Sequence, residues 1–246
     1  MSFDHAHDEV PCFIKDCAIR QQEMVQATRG GASIPNPFVD KLKEFERDFI
    51  PRDRIADIRF GEPDREAIEA AEVVLRIATG LDVNGDHGKE TPSRFVAMLK
   101  ELTTPPPIKW KTFPNDGTDE MITIGDIPFT SLCNHHVIPF IGIAHISYVP
   151  REHIAGLSKF ARVVHHFARS LQTQEHLTRQ IADYLEENLK PRGVGVVLKA
   201  EHMCMTIRGV QVPGAKTTTA DMRGVFNDHE RTAKMEFLAS INGSHK

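Results

Sequence analysis

The sequence predicts an α+β fold in which an antiparallel sheet of two strand pairs carries a pair of helices on one face, preceded by a helical N-terminal region. Two observations predict it. Four runs rich in apolar and β-branched residues, at 119–133, 139–148, 193–206 and 216–226, have the composition of strands. Between the second and third runs, apolar residues recur at three- and four-residue spacing over two stretches, the period of amphipathic helices. The order strand, strand, helix, helix, strand, strand lacks the crossover that a parallel pair requires, so each pair reads as antiparallel, with the helices packed on one face.

Taken in order, residues 1–60 form an extension with no assigned function. Helices are expected over Phe13 to Ala27 and Phe38 to Phe49, separated by the breaker run Arg29-Gly-Gly-Ala-Ser-Ile-Pro-Asn-Pro37. Cys12 and Cys17 have no partner at zinc-finger spacing and read as bystander thiols. Residues 61–118 read as a helical region. Ile68, Ala71, Val74, Leu75 and Ala78 trace one apolar face up to Gly80. Thr91-Pro-Ser-Arg94 opens the next helix with threonine as N-cap and proline first inside, and Pro105-Pro-Pro107 ends it. In the sheet domain, 119–246, strand-like Met121 to Ile124 and Ile127 to Leu132 precede a second strand from Pro139 to Tyr148. Phe160, Val163, Val164, Phe167 and Leu171 then mark one helix, and Leu177, Ile181, Leu185 and Leu189 the next. Strands over Gly193 to Thr206 and Lys216 to Phe226 follow, and a terminal helix runs from about Glu230 to Ile241.

With 246 residues, 40% apolar and 26% charged, the composition is that of an ordinary globular protein. A formal net charge of −4 and a pI near 6.3 argue against a general nucleic-acid surface while leaving room for a local basic pocket. No apolar stretch approaches bilayer-spanning length, the four cysteines are few, and the acidic start Met-Ser-Phe-Asp-His lacks the pattern of a secretory signal. A reduced, cytoplasmic protein without membrane attachment is expected.

The chemistry concentrates in Ser131-Leu-Cys-Asn-His-His136 and Glu201-His-Met-Cys204. Cys133 and His136 stand in a C-x-x-H spacing, and Cys204 offers a second thiolate. Strand alternation through the second element would put His202 and Cys204 on one face, with Met203 and Met205 on the other. Two cysteines and a histidine suit zinc, whose tetrahedral shell would then keep a fourth position for water, as catalytic sites do. Bound zinc lowers the pKa of its water towards roughly 7. His135 and His202 remain as candidate proton carriers. A lone C-x-x-H is more often a buried thiol and an ordinary histidine than a metal site; the second element is what favours the metal.

Six motifs in this order, Ser-Leu-Cys-Asn-His-His, Gly-Leu-Ser-Lys-Phe-Ala-Arg, Leu-Gln-Thr-Gln-Glu-His-Leu-Thr, His-Met-Cys-Met, Ile-Arg-Gly-Val and Lys-Thr-Thr-Thr, closely resemble the GTP cyclohydrolase I family. The resemblance covers roughly Asp64 to Leu238. It implies the tunnelling fold, in which ββααββ units assemble side by side into barrels, and a homodecamer of two face-to-face pentamers with pockets shared between subunits. It implies Cys133, His136 and Cys204 as zinc ligands, and His135 and His202 as the residues that work on substrate. The implied reaction opens the imidazole ring of GTP at C8, releases formate and closes a pyrazine ring to give 7,8-dihydroneopterin triphosphate. C8 is a poor electrophile until N7 is protonated, so His202 is expected to serve N7, with His135 handling protons on water or a ribose oxygen. Glu175 matches the carboxylate that accepts from guanine N1–H and the 2-amino group, a pairing adenine cannot reproduce; Gln174 stands beside it among the expected substrate contacts. Lys159, Arg162, Arg208 and Arg94 match cations for the triphosphate, and Ser158 matches a donor near the start of its helix. Singly, each reads as a surface charge or a cap.

Asn134 departs from the family, which usually has glutamate there. A missing carboxylate beside the ligands should lower the pKa of adjacent histidines and loosen their orientation. Asn134 mildly favours an alternative, a zinc-dependent hydrolase that opens the ring and stops at a pyrimidine. A non-catalytic nucleotide-binding homologue is a third reading, opposed by the presence of all four of Cys133, His136, Cys204 and His202. A nitrile reductase of the same fold would leave the complete zinc set unexplained. The downstream pathway and any regulatory partner are not legible in the residues.

Overall fold

The computed structural model describes residues 65–227 and 232–242. The expected helices at Phe13 to Ala27 and Phe38 to Phe49, and both Cys12 and Cys17, lie outside the described residues. Two helices come first, α1 (Arg65–Thr79) and α2 (Thr91–Thr103), which pack on each other. Thr91 is not the N-cap. Glu90 holds that position without a side-chain cap bond, and Thr91 is already helical with Pro92 next, because its hydroxyl turns back to the His87 carbonyl at 3.5 Å.

The main sheet has the order β5-β2-β3-β6-β7, with β2 at Ile122–Cys133, β3 at Pro139–Val149, β5 at Leu171–Gln172, β6 at Gly193–His202 and β7 at Lys216–Gly224. A separate hairpin-like pair joins β1 (Thr112–Pro114) to β4 (His153–Ala155). Neighbours are antiparallel except β5 with β2, which run parallel through Leu132 opposite Leu171 and Cys133 opposite Gln172. Leu171, expected at the end of a helix, is therefore a strand residue. Helix α3 (Ser158–Ala168) stops earlier because the Phe167 carbonyl is taken by the Ser170 hydroxyl at 3.0 Å and by Gln172 Nε2 at 2.9 Å. The two runs expected before Cys133 are one strand with a register shift between Ile124 and Ile127. At that bulge Asp126 takes a positive φ of 54° and its N–H donates to Nδ1 of buried His145 at 3.2 Å.

The expected helix pair, α3 and α4 (Gln174–Leu189), covers one sheet face. Phe160, Val163, Val164, Leu177, Ile181 and Leu185 are fully buried there with Phe140, Ile146, Val194, Val196 and Leu198 from the strands. Each such side chain contributes about 1.5–3 kcal/mol through burial. After β6 comes a single helical turn, α5 (Met203–Thr206), and after β7 a 3-10 turn at Val225–Asn227 leads towards the terminal helix α6 (Thr232–Asn242). Phe237 and Ile241 of α6 pack with Val149, Val197 and Phe226 in a second cluster. Val197 stands between Val196 and Leu198 of the first cluster, so alternation along β6 assigns α6 to the other face. Strands β3 and β6 approach closely at Gly142, where a Cβ would lie 2.3 Å from the Lys199 carbonyl oxygen. Arg223 of β7 ties the sheet to α4 through Asp183 at 2.7 Å and Glu186 at 2.8 Å, with Asp221 beside it at 2.9 Å. No helix among the described residues is long and apolar enough to cross a membrane.

Candidate metal centre

The end of β2, the start of β3 and the end of β6 meet at one end of the sheet. Cys133 closes β2, and its N–H donates to the Ile138 carbonyl at 2.9 Å while the Val137 N–H returns to the Cys133 carbonyl at 2.8 Å. This tight turn carries His135 and His136. It requires a left-handed residue, and Val137 adopts φ 54°, a costly conformation for a β-branched side chain that the closing hydrogen bonds hold in place. The Asn134 N–H donates to the Gln172 carbonyl at 2.8 Å, which anchors the turn to β5.

Cys204 arrives differently from the expectation. The strand ends at His202, and Cys204 sits in the helical turn α5, so it is not two strand positions along from His202. The ladder runs out there: His202 pairs with Phe140 next to the first residue of β3, and Glu201 pairs with Lys216, the first residue of β7. With no neighbour to bond, the backbone coils, closing Ile207 N–H to Met203 C=O at 3.0 Å while the Thr206 hydroxyl reaches the His202 carbonyl at 3.2 Å. The coil brings Cys204 to the turn. The ligand atoms of Cys133, His136 and Cys204 lie within 4.8 Å of one another, a group able to hold a metal ion.

Burial first, and then Cys133 beside it, push the Cys204 thiol up, while Arg208 pulls it the other way. A cation at the group would reverse the first two effects by favouring thiolate. His135 Nδ1 lies 3.7 Å from Cys133 Sγ. His202 is held on two sides: its ring stacks on Phe140 with centroids 4.6 Å apart and planes 2° apart, and its Nε2 meets Gln174 Oε1 at 2.8 Å. Burial lowers the His202 imidazole pKa, and the nearby charge of Glu175 partly offsets this.

The other expected site residues divide into two groups. Glu175, in the first turn of α4, and Arg208, just past α5, act electrostatically on His202 and Cys204 and so belong to this end of the sheet. Ser158, Lys159 and Arg162 begin α3, and Arg94 on α2 is ion-paired with Glu90. Among the described residues, none of these four is hydrogen-bonded or ion-paired to the Cys-His-Cys group. Gln174, expected at the substrate, is 1% exposed. Sequence reasoning missed Phe140 and the carboxylate of Glu201, whose Oε1 accepts from the Thr206 hydroxyl at 3.1 Å and the Gly214 N–H at 3.0 Å. Only cross-strand register reveals the first, and only the coil after His202 reveals the second.

A three-donor group with a clamped histidine beside it, at one end of a mainly antiparallel sheet, defines a candidate metal-dependent catalytic centre of the α+β class. Comparison with known proteins narrows the class. A sequence profile described as GTP cyclohydrolase I matches residues 68–242. A protein named GTP cyclohydrolase 1 from Synechococcus sp. (strain JA-3-3Ab) is 48% identical over 183 residues, 72% of this chain and 79% of its own. The protein of that name from Aquifex aeolicus (strain VF5) is 44% identical over 181 residues, 73% of this chain and 98% of its own. The chain belongs to the GTP cyclohydrolase I family. Among solved structures, the archaeosine synthase QueF-Like in the apo form overlaps 42% of this chain and 93% of its own at a TM-score of 0.36 and 14% identity, too distant to carry an argument.

Proposed function

We propose that this chain is a zinc-dependent GTP cyclohydrolase I, which hydrolyses GTP at C8, releases formate and rearranges the remainder to 7,8-dihydroneopterin triphosphate. The observation that carries the reading is the convergence of Cys133, His136 and Cys204 within 4.8 Å, in a chain whose family is established along residues 68–242. Two sulfurs and one imidazole nitrogen, with no carboxylate, fit zinc better than magnesium or calcium. Zinc held there supplies Lewis acidity, lowering the pKa of a water towards roughly 7 so that a nucleophile exists at neutral pH.

The remaining work falls to the chain. His202 donates to guanine N7, which makes C8 electrophilic. His135, beside Cys133, moves protons on water or the ribose oxygen. Glu175 accepts from guanine N1–H and the 2-amino group, and so selects guanine over adenine. Arg208 meets the triphosphate from the same chain's centre. Lys159, Arg162, Arg94 and Ser158 complete the cradle, in pockets shared with a neighbouring subunit as the family resemblance implies. The assembly is a homodecamer in the cytoplasm. Residues 61–118 serve as its helical region and 119–246 as the catalytic unit, with 1–60 an extension.

The test is incubation of zinc-loaded protein with GTP, ATP or guanosine, following formate and the fluorescent oxidised pterin and identifying the product by mass. A pterin triphosphate from GTP, with little turnover of the other two, is expected. A formylated or deformylated pyrimidine as the end product would favour the ring-opening hydrolase instead, and unchanged GTP, with neither formate nor any ring-opened product, would reject both.

A further inference from the structure

We infer that Gln174 is a positioning residue for His202, fixing its ring in the tautomer that carries a proton on Nε2. The inference rests on the reading of His202 as a working residue of the site and names the tautomer in which its ring is held. It begins with Gln174 itself, which is 1% exposed at the start of α4. Its Nε2 lies 3.1 Å from each of three oxygens, the carbonyls of Leu198 and Thr217 and the hydroxyl of Thr219. Carbonyl oxygens only accept, so the NH2 must face them and Oε1 must face His202.

The hydroxyls reinforce this choice. Thr178 spends its single hydrogen on the Gln174 carbonyl at 2.7 Å. The hydrogen between Thr178 Oγ1 and Thr219 Oγ1, 2.7 Å apart, is therefore supplied by Thr219, whose oxygen is left to accept from the amide. With its orientation set from three sides, Gln174 presents an acceptor, and the 2.8 Å contact to His202 Nε2 requires a proton on that nitrogen. The Phe140 stack fixes the plane of the ring. A half-turn of the ring in that plane would put a carbon where Nε2 stands and forfeit the bond. The neutral ring is thereby held as the Nε2–H tautomer, with Nδ1 the nitrogen that the clamp does not engage. Both amide hydrogens of Gln174 are committed within the protein, so the direct substrate contact expected from the sequence gives way to this indirect role.

The experiment is nitrogen-15 NMR of the imidazoles in the zinc-loaded protein, with the His202 signals assigned by their absence in His202→Ala. Neutral His202 is expected as the Nε2–H tautomer, with an Nε2-bound proton protected from solvent exchange. In Gln174→Met that protection should vanish. kcat for GTP should fall about ten- to hundredfold, as for other orienting partners, while KM changes by less than about threefold. An Nδ1–H tautomer in the wild type would overturn the inference. So would Gln174→Met with unchanged shifts and kcat, or with a raised KM and unchanged kcat, the mark of a direct substrate contact. Should Gln174→Met not fold, the wild-type spectrum decides alone. A wild type that shows the Nε2–H form but does not turn over GTP would reject the proposed reaction and leave the clamp standing.

Discussion

Cys204 reaches the metal group only because the chain stops being a strand at His202. Its candidacy as a ligand is readable from the sequence, since two cysteines and a histidine of suitable type stand in two short motifs. Its route is not, because alternation along a single strand carries no information about where the neighbouring strands end. The same gap hides the Phe140 stack, which needs the register of β3 on β6. At this scale the sharpest prediction concerns Glu175. Glu175→Gln keeps the shape but turns an acceptor towards donors with an NH2 in its place, so the preference for GTP over ATP should collapse. The loss in kcat/KM for GTP should be on the order of 10⁴-fold, as when a hydrogen-bonding site is mispaired. The kcat/KM ratio for the two nucleotides checks it, and an undiminished ratio would refute the role.

The β6–α5–β7 connection joins the centre to the cation Arg208, and one carboxylate holds both ends of it. Glu201 Oε1 takes the Thr206 hydroxyl and the Gly214 N–H, and these bonds, the Gly214 one first, hold its carboxyl below the usual range. A carboxylate whose pKa is depressed on folding stabilises the native state above its ordinary unfolded value and loses that contribution as pH falls through the folded value. Hydrogen-exchange protection of the Gly214 amide should therefore be full at neutral pH, fall in acid below the ordinary carboxylate range, and be absent throughout in Glu201→Ala. Equal protection in the variant would contradict the tie. The elements themselves were largely legible: the strand pairs follow from β-branched and apolar composition, and the two helices between them from apolar period. Beyond the strand end at His202, two misreadings occur where a side chain competes with the backbone. Thr91 bonds back to His87 instead of capping forward, and Ser170 and Gln172 end α3 before Leu171.

Among the described residues the five-stranded sheet has two open margins: β7 has no partner beyond β6, and β2 is covered by β5 only at Leu132 and Cys133. Open margins invite another chain, and closing several units into a barrel removes them. Ile207, Val210 and Val212, 62%, 70% and 46% exposed beside the centre, are further surface that assembly would cover. A homodecamer with shared pockets predicts that Cys204→Ser and Lys159→Ala chains, each inactive alone, regain part of the wild-type turnover when co-assembled, since some mixed interfaces hold one intact pocket. An active monomer, or no rescue in verified mixed assemblies, would count against it.

The central claim is that Cys133, His136 and Cys204 form a zinc centre whose ligands are distinct from the proton carrier His202. Zinc content measured alongside formate release from GTP, in the wild type, Cys204→Ser and His202→Ala, tests it most directly. About one zinc per chain is expected in the wild type and in His202→Ala, from a site with three protein ligands. Formate release should fall at least about a hundredfold in His202→Ala for want of a proton carrier, and Cys204→Ser should lack both metal and turnover. Full zinc and full formate release in Cys204→Ser, or loss of zinc in His202→Ala, would contradict the account.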